Sequence, residues 1–411
     1  MSGPVQRKLP IGIQSFEKLR QDGFLYIDKT AWVYEMVHNP TPLFLSRPRR
    51  FGKSLLLSTL RAYWEGKREL FRGLAIEELE RDDPDAWQSY PVFCFDFNRD
   101  AFAGEDSLER ILDAHLKEWE QEYGPTESTL LSLRFQELLV RASERSGKRC
   151  VVLVDEYDKA LLDTMADPAL SEHNRTVFKG FFSTLKSFDT YLRFVFITGV
   201  TKFSKVSIFS DLNHLKDISL SEKYAKLCGI TEEEMLSCLA PEITAMAAEQ
   251  ELSETECVAL LRKTYDGYRF HPKGAKVYNP FSLLNALDDR EFRSYWFSTG
   301  TPSFLVRKLR ESGFDIRKLT DRTLRANESS LSDYSADNPD PVPLLYQTGY
   351  LTIVDYDRRS RSFTLAFPNE EVKYGFLENL LPEYIPTATA GNGLDIFSLE
   401  TRTLKEWLVR E

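Results

Sequence analysis

Short apolar runs separated by amphipathic stretches fill the first half of the chain. Three nearly continuous apolar runs predict buried strands of a parallel sheet, at 91–97, 150–154 and 192–200. Apolar residues at helical spacing predict helices around them, at 30–37, 55–64, 108–123, 130–143 and 173–188. This alternation predicts an α/β fold, a parallel sheet flanked by helices, for residues 1–220 including an N-terminal arm.

The pattern changes after about residue 220. Thr231 followed by Glu234 is a capping box, in which each side chain bonds the backbone of the other residue at a helix start. Helical periodicity continues from there and returns over 281–287. These residues predict a helical lid over 221–290.

The region 291–380 has the pattern of a separate small domain. Two strand-like runs, 349–354 and 362–367, are joined by a charged turn and follow helical segments. We interpret them as a winged-helix-like domain, which suits contacts with nucleic acid and with protein equally well. Residues 381–411 remain as a tail or linker.

Candidate chemistry is concentrated in a cationic stretch after the apolar pair at 44–45. Gly52 lets the backbone approach a ligand closely, and Lys53 and Ser54 open a run that predicts a helix. A helix start favours anionic oxygens, a lysine reaches the β- and γ-phosphates of a nucleotide, and a serine hydroxyl ligates Mg²⁺. The stretch therefore predicts an ATP and Mg²⁺ site formed by Arg47, Pro48, Arg49, Arg50, Phe51, Gly52, Lys53, Ser54 and Leu55.

One position departs from the usual phosphate-loop pattern G-x-x-x-x-G-K-[ST]. Counting back from Gly52 places Arg47 where the first glycine is expected. A G-K-S triplet occurs often by chance, so its assignment depends on what the rest of the chain supplies.

Two adjacent carboxylates end the second apolar run. Asp155 and Glu156 are expected at the carboxyl edge of the sheet, where α/β proteins bind ligands. Phosphoryl transfer needs one carboxylate in the Mg²⁺ shell and another that orients or deprotonates the attacking water. We assign Asp155 to the first role and Glu156 to the second, because the upstream Lys53 argues against a merely solvated turn. Thr198 is a candidate sensor of the γ-phosphate, and Lys202 is a further candidate.

Composition and charge narrow the class of protein. The chain has 411 residues, 42% of them hydrophobic and 28% charged, as in a soluble globular protein of two or three domains. Its net charge of −10 argues against coating nucleic acid through bulk electrostatics, although the basic patch at 47–50 is available. Five cysteines without C-x-x-C spacing indicate free thiols. The chain shows neither a membrane-length apolar run nor a signal-type core, so we expect a cytoplasmic protein.

Five motifs, in the same order, resemble those of the AAA-ATPase-like family of prokaryotic proteins. They are Leu9-Pro10-Ile11-Gly12, Tyr26-Ile27-Asp28-Lys29-Thr30, Ser46-Arg47-Pro48-Arg49-Arg50-Phe51-Gly52-Lys53-Ser54, Val154-Asp155-Glu156-Tyr157-Asp158-Lys159 and Ile197-Thr198-Gly199-Val200-Thr201-Lys202-Phe203-Ser204-Lys205. The resemblance extends over about 9–373. It implies that Arg47 belongs to the family's own version of the phosphate loop.

The same resemblance implies roles for individual residues. Lys53 and Ser54 would bind phosphate and Mg²⁺, Asp155 would hold the metal shell, and Glu156 would be the base. Two further arginines, at 49 and 50, could contact the triphosphate or stabilise the transition state, with simple solvation as the equal alternative.

In this family a nuclease domain of the PD-(D/E)xK superfamily commonly follows the ATPase domain, and we expect it to be absent here. It would begin after about residue 395, which leaves room for one helix. Glu371-Val372-Lys373 has E-x-K spacing, yet it lies in a segment that resembles the end of the winged-helix-like domain. A nuclease core needs separated acids aimed at one metal, so cleavage by this chain is the less favoured alternative.

The sequence therefore predicts a P-loop ATPase of the strand-catalytic-glutamate type that acts as a nucleotide-dependent switch, with ATP and Mg²⁺ as cofactors. A nucleotide-gated module that hydrolyses little and recruits DNA or a protein partner is an alternative, as is the ATPase part of a nuclease system. The partner, the oligomeric state and the source of any arginine finger stay open. Arg175, on a predicted helix, is one candidate finger.

Overall fold

The computed structural model describes residues 7–99, 102, 104–202, 215–297, 305, 308, 309, 312–314, 316–319, 324–332 and 340–384. The chain divides into two compact units, the first made of Met1–Arg47 with Gly52–Ser219 and the second of Pro48–Phe51 with Leu220–Glu411. Two parts of the sequence predictions lie outside the described residues: the motif end 203–205 with the connection to 214, and the predicted tail from 385 onward. The finer division into core, lid, winged-helix-like domain and tail stays a prediction.

A five-stranded parallel sheet forms the centre of the first unit. Its strands are β1 Leu43–Ser46, β2 Val92–Asp96, β3 Cys150–Asp155, β4 Leu192–Gly199 and β5 Lys216–Asp217. Their spatial order is β2-β3-β4-β1-β5, and each neighbouring pair is parallel. β3 is buried at every position, as expected of a strand covered on both faces. The predicted parallel sheet is confirmed, and β4 separates the two strands whose ends carry the candidate chemistry.

Helices flank this sheet. They are α1 Phe16–Gln21, α2 Thr30–Val37, α3 Lys53–Trp64, α4 Ala75–Leu79, α5 Ser107–Tyr123, α6 Leu131–Ser146, α7 Lys159–Asp163, α8 Pro168–Phe182 and α9 Thr184–Ser187. Short 3-10 helices occur at Arg68–Phe71, Phe97–Arg99 and Asp189–Tyr191. α8 begins five residues before the predicted start at 173, because the Asp167 side chain accepts hydrogen bonds from the first free N–H groups and Pro168 suits the first helical position.

Aromatic packing fixes the position of β2. The Phe95 ring is fully buried, with ring centroids 4.9 Å from Trp119 on α5 and 5.2 Å from Phe135 on α6. Burying one such ring stabilises the fold by about 2 to 3 kcal/mol. Asp96, the next residue, is therefore held at the carboxyl edge of the sheet by a rigid strand.

The second unit combines helices with an antiparallel sheet. The helices are α10 Glu232–Cys238, α11 Ala240–Glu249, α12 Glu254–Tyr265, α13 Pro280–Asp289, α14 Glu328–Ser332, α15 Val342–Thr348 and α16 Glu370–Tyr384, with a 3-10 helix at Ile316–Leu319. The strands are β6 Leu324–Asn327, β7 Thr352–Asp357 and β8 Ser362–Ala366, in the order β6-β8-β7. The capping box at the start of α10 and the β7–β8 hairpin are as predicted. The winged-helix-like assignment stays a prediction.

Two further expectations concern cysteines and membranes. Cys94, Cys150, Cys228, Cys238 and Cys257 are all free thiols, as predicted. Across the part of the chain that the structure describes, the helices are too short or too polar for any of them to cross a bilayer.

Glu371, which opens the E-x-K triplet, holds two backbone groups of the second unit. Its Oε1 accepts hydrogen bonds from the N–H groups of Tyr295 at 2.7 Å and Trp296 at 2.8 Å. Burial raises the pKa of Glu371 to about 7, and these hydrogen bonds act in the opposite direction. Among the described residues, no cluster of three ligand atoms includes this carboxylate. Its surroundings are those of a structural side chain.

Replacing Glu371 with alanine should destabilise the second unit, because two buried N–H groups would lose their acceptor. We expect the free energy of unfolding to fall by about 2 to 4 kcal/mol, measured by urea denaturation. Glu371→Gln keeps an acceptor oxygen and should cost much less. Glu378→Ala, at an exposed position of the same helix, is the control and should have little effect. Equal stabilities for Glu371→Ala and Glu378→Ala would contradict the structural role.

Candidate nucleotide-binding site

The turn between β1 and α3 contains two residues with a positive φ. Gly52, directly before the helix, has φ 86° and ψ 20°, a left-handed conformation that L side chains rarely adopt. Arg50 also has a positive φ, of 70°. Among the residues that the structure describes, no side chain caps the helix at Gly52. The first N–H groups of α3 are therefore available to an anionic ligand, and the local dipole favours negative charge.

Arg47, at the position of the missing first glycine, fastens the beginning of this loop to the first unit. Its side chain is almost completely buried, with 1% of the residue exposed. Nη1 donates to the carbonyl oxygens of Ser46 and Ser219, both at 2.8 Å. The Arg47 N–H donates to the carbonyl of Gly199 at 3.2 Å. The guanidinium thus stabilises the loop, and its predicted contact with the nucleotide stays a prediction.

The residues between Arg47 and Gly52 belong to the second unit. The Phe51 ring is buried there, 4.7 Å from the Tyr268 ring in an edge-to-face arrangement. The Arg50 guanidinium lies 4.7 Å above the Phe281 ring. This cation–π contact orients an otherwise exposed side chain.

Arg49 and Pro48 lie beside the segment that ends α15. Arg49 is exposed. Burial raises the pKa of Tyr350, and the positive charge of Arg49 opposes this effect. Pro48 lies so close to Gly349 that a Cβ added there would be 2.7 Å from the Pro48 Cβ. Gly349 also has φ 95°, a conformation that favours glycine. Both the close approach of Pro48 and this conformation therefore require a residue without a side chain at 349.

Four charged or polar side chains converge on Asp155, at the end of β3. Burial is the largest of the influences that together raise the pKa of Asp155 to about 6. The negative charges of Glu156 and Asp96 also raise this pKa. A hydrogen bond with the Ser54 side chain and the positive charge of Lys53 lower it. Asp155 is only 7% exposed, and its Oδ1 is buried without a hydrogen bond to any described residue. A buried oxygen of this kind needs a cation or another donor.

Lys53 is the cation of this group. It is buried, and its Nζ donates to the Arg47 carbonyl at 3.0 Å. Its positive charge lowers the pKa of both Asp155 and Asp158. The predicted role of Lys53 in binding phosphate stays a prediction.

Glu156 has a strained backbone. Its φ is 49°, in the left-handed region, where a residue with a Cβ pays about 1 kcal/mol or more. The following residue is tied to β4, because the Tyr157 N–H donates to the Thr198 carbonyl at 3.2 Å. The strained turn leaves the Glu156 side chain partly exposed directly beside the buried Asp155.

Asp158 joins the ends of β3 and β4. Its buried carboxylate accepts hydrogen bonds from the Val200 N–H at 3.1 Å, the Thr201 N–H at 2.6 Å and the Thr201 hydroxyl at 2.7 Å. Burial raises the pKa of this carboxyl, against the hydrogen bonds. No role for Asp158 was predicted from the sequence. The sequence did contain a signal for this contact, because Asp158 and Thr201 lie in two of the motifs that resemble the family, 154–159 and 197–205.

The two remaining candidates have different environments. Thr198, paired in register with Leu45, is fully buried, and its Oγ1 makes no hydrogen bond within the described chain. Lys202 forms an ion pair with Asp217 on β5, with 3.0 Å between Nζ and Oδ2. The sensing role of Thr198 and the role of Lys202 stay predictions.

Asp96 is a second residue that sequence reasoning missed. It ends β2 and is paired in register with Asp155 on β3. Its Oδ1 accepts from the Asn98 N–H at 2.9 Å. The signal was present in the sequence, because Phe95-Asp96 ends an apolar run in the same way as Val154-Asp155. What was missing was the knowledge that the two strands are neighbours.

The candidate arginine finger, Arg175 on α8, pairs within its own helix. Its Nη1 lies 3.2 Å from a carboxylate oxygen of Glu172, and 17% of its side chain is exposed. It is therefore less accessible than the surface position that the sequence suggested, and its role in a finger stays a prediction.

A phosphate loop after β1, acids after β3 and an intervening β4 define a P-loop α/β protein. The family described as Predicted AAA-ATPase matches residues 10–209. A relative from Azotobacter chroococcum mcd 1, described as an uncharacterized protein in the vnfD 5′ region, is 39% identical over 385 residues, covering 93% of this chain and 71% of that protein. The chain belongs to this AAA-ATPase-like family, as the motifs predicted.

Among solved structures, the Aeropyrum pernix ORC2 protein in its ADPNP–ADP complexes aligns with 92% of this chain and 97% of its own. The two are 9% identical and the TM-score is 0.30, a similarity on which no argument here depends.

Gly199→Ala should disrupt the junction of β3 and β4. An added Cβ would overlap Asp158 Oδ1 and lie 2.8 Å from the Tyr157 ring. We expect a loss of about 2 kcal/mol or more in the free energy of unfolding, measured by urea denaturation. The matched control is Gly180→Ala in α8, where the new Cβ would have no described atom within 4 Å apart from its chain neighbours and the backbone of its own helix. There helix propensity predicts a gain of up to about 1 kcal/mol. Similar effects of the two substitutions would argue against the described junction.

Asp155→Asn should stabilise the nucleotide-free protein at neutral pH. The pKa of Asp155 rises from 3.8 to about 6 on folding, so the folded state disfavours the charged form. The cost of holding the charged form is absent below pH 3.8, grows as the pH rises from 3.8 to about 6, and is complete above about pH 6. At pH 8 the variant should gain up to about 3 kcal/mol. Urea denaturation at pH 8 and pH 5 tests this, and an advantage that does not shrink at pH 5 would be inconsistent with it.

Proposed function

We propose that this protein binds ATP with Mg²⁺ in the loop between β1 and α3 and hydrolyses it to ADP and phosphate. The observation that carries the proposal is the buried Asp155 carboxylate at the end of β3, whose Oδ1 makes no hydrogen bond with any described residue. Burial raises the pKa of this carboxyl, and a hydrogen bond with the Ser54 side chain and the charge of Lys53 lower it. A lysine, a serine hydroxyl and a strand-end aspartate are the side chains that hold a triphosphate and its metal in P-loop enzymes.

The donor set suits Mg²⁺. This ion prefers oxygen ligands and is usually held by one or two carboxylates, waters and phosphate oxygens. Ser54 supplies a hydroxyl, and Asp155 supplies a buried carboxylate whose Oδ1 has no hydrogen-bond partner among the described residues. When bound, the ion would neutralise charge on the phosphate oxygens.

Lys53 has to change partners when a nucleotide binds. Its ammonium donates to the Arg47 carbonyl, and a γ-phosphate oxygen is a stronger acceptor because it is charged. Exchange of one acceptor for the other would release a hydrogen bond inside the loop. This gives the loop two arrangements, one with nucleotide and one without it.

Glu156 is positioned to act on water. In the proposed step a water oxygen attacks the γ-phosphorus, the bond to the bridging oxygen of ADP breaks, and the water proton passes to the Glu156 carboxylate. Asp96 is the second carboxylate beside Asp155 and is the rival for this role. The strained φ of Glu156 supports the first assignment, because such strain is concentrated at functional sites.

The proposed switch follows from the chain connectivity of the loop. Lys53 and Ser54 begin α3 in the first unit, whereas Pro48–Phe51 belong to the second unit. Within the second unit, Phe51 and Arg50 contact aromatic rings. A change in loop conformation on ATP binding would therefore alter the packing of those four residues. Hydrolysis would reverse the change.

The test is Mg²⁺-dependent release of phosphate from ATP, with nucleotide affinity measured on the same samples. Lys53→Ala should lose nucleotide binding. Glu156→Gln should bind ATP but turn over at least about 100-fold more slowly. Asp96→Asn should hydrolyse ATP if Glu156 is the base. The matched controls are Lys18→Ala and Glu144→Gln, at exposed positions on α1 and α6.

Two outcomes would redirect the proposal. A wild-type protein that binds no nucleotide would refute the loop assignment. One that binds ATP with Mg²⁺ but does not hydrolyse it would support a nucleotide-gated module, and salt-sensitive DNA binding would then distinguish a DNA partner from a protein partner.

A further inference from the structure

A second group of ligand-type side chains lies in the first unit, outside the nucleotide-site residues. It consists of His38 after α2, and Glu80 and Asp83 after α4. One ligand atom from each lies within 4.8 Å of the other two. We propose that these three side chains bind a divalent transition-metal ion, which we assign as Zn²⁺.

The distances match a metal site better than a hydrogen bond. His38 Nε2 lies 3.5 Å from Glu80 Oε2 and 3.5 Å from Asp83 Oδ2. A charge-assisted hydrogen bond would bring these atoms to about 2.8 Å. Two ligands each about 2.0 Å from a tetrahedral Zn²⁺ are about 3.3 Å apart. The imidazole is thus separated from both carboxylates by nearly the spacing that an intervening ion requires.

The second oxygen of each carboxylate is already in use. Glu80 Oε1 accepts a hydrogen bond from the Tyr63 hydroxyl at 2.7 Å. Asp83 Oδ1 accepts from the Asp85 N–H at 2.8 Å. Such outer partners orient the ligands of protein metal sites. Glu80 Oε2 and Asp83 Oδ2 are therefore both directed towards His38.

Glu80 supplies the independent observation. Its side chain is fully buried, at 0% exposure, and Oε2 makes no hydrogen bond with any residue in the described chain. An isolated buried carboxylate oxygen is costly unless a cation is close to it. A bound ion would satisfy this oxygen together with the two neighbouring ligands.

The donor set and the adjacent cavity define the type of ion. One imidazole nitrogen and two carboxylate oxygens suit Zn²⁺, and three protein ligands leave a fourth position for water or another small ligand. His38 and Asp83 line a cavity of about 230 Å³ together with Tyr63, Trp64, Trp87 and Arg193, among others. That cavity gives the fourth position access to a water molecule.

Zinc binding by the full-length protein tests the proposal. After dialysis against a chelator, and without nucleotide, isothermal titration with Zn²⁺ should show one tight site. Co²⁺ should give the visible absorption of a four-coordinate complex. His38→Gln and Asp83→Asn should each weaken Zn²⁺ binding by at least about 100-fold, and Tyr63→Phe by about 10-fold. Zn²⁺ should raise the melting temperature of the wild type but not of the two ligand variants.

Two controls separate this site from other binding. His173→Gln removes an exposed histidine that pairs with Glu109 at 2.7 Å and should leave zinc affinity unchanged. Asp155→Asn removes the proposed Mg²⁺ ligand and should also keep the tight Zn²⁺ site. Because Asp83 is partly exposed, Asp83→Asn is expected to fold, and circular dichroism checks this. Absence of tight Zn²⁺ binding to the wild type, or equal binding by His38→Gln, would overturn the proposal and leave a simple histidine–carboxylate ion pair.

Discussion

The buried carboxylate of Asp158 is the interaction on which the candidate site depends. It accepts hydrogen bonds from Val200 and Thr201, and so fixes the chain that leaves β4 against the chain that leaves β3. The same segment accepts from the other side, because the Ser46 hydroxyl donates to the Val200 carbonyl at 2.6 Å and the Arg47 N–H donates to that of Gly199. The ends of β1, β3 and β4 are therefore joined, and a ligand meets a site that is already organised.

This organisation has energetic costs at neighbouring positions. The Asp155 carboxyl is buried, which raises its pKa, and its Oδ1 makes no hydrogen bond with the residues that the structure describes. Glu156 is held with a positive φ. Each of these features destabilises the nucleotide-free protein. In the proposed function, a cation would relieve the first and a water molecule would use the second. The aromatic packing around Phe95 and the buried β3 supply the stability that permits them.

The sequence predicted the strands β2, β3 and β4, the helices between them and the loop at Lys53. Such elements are predictable because buried strands and amphipathic helices have recognisable patterns of apolar residues. It did not reveal the role of Asp96 or Asp158, since each depends on which strands are neighbours. The order β2-β3-β4-β1-β5 places Asp96 beside Asp155, although the two residues are far apart in the chain. Three strands were also missed: β1 and β6 have only four residues each and β5 only two, too few for a clear period.

At two places in this protein, the spacing of residues along the chain and their proximity in space give opposite indications of a metal site. Glu371 and Lys373 have the spacing of a nuclease motif, yet Glu371 Oε1 accepts from two backbone N–H groups and no group of three ligand atoms among the described residues includes this carboxylate. His38, Glu80 and Asp83 have no motif spacing, yet three ligand atoms meet and the buried Glu80 Oε2 has no hydrogen bond within the described residues. Metal coordination requires ligand atoms at fixed distances and does not require them to be near in sequence. On that physical criterion the second group is the stronger candidate for a metal, although only the first could be noticed in the sequence.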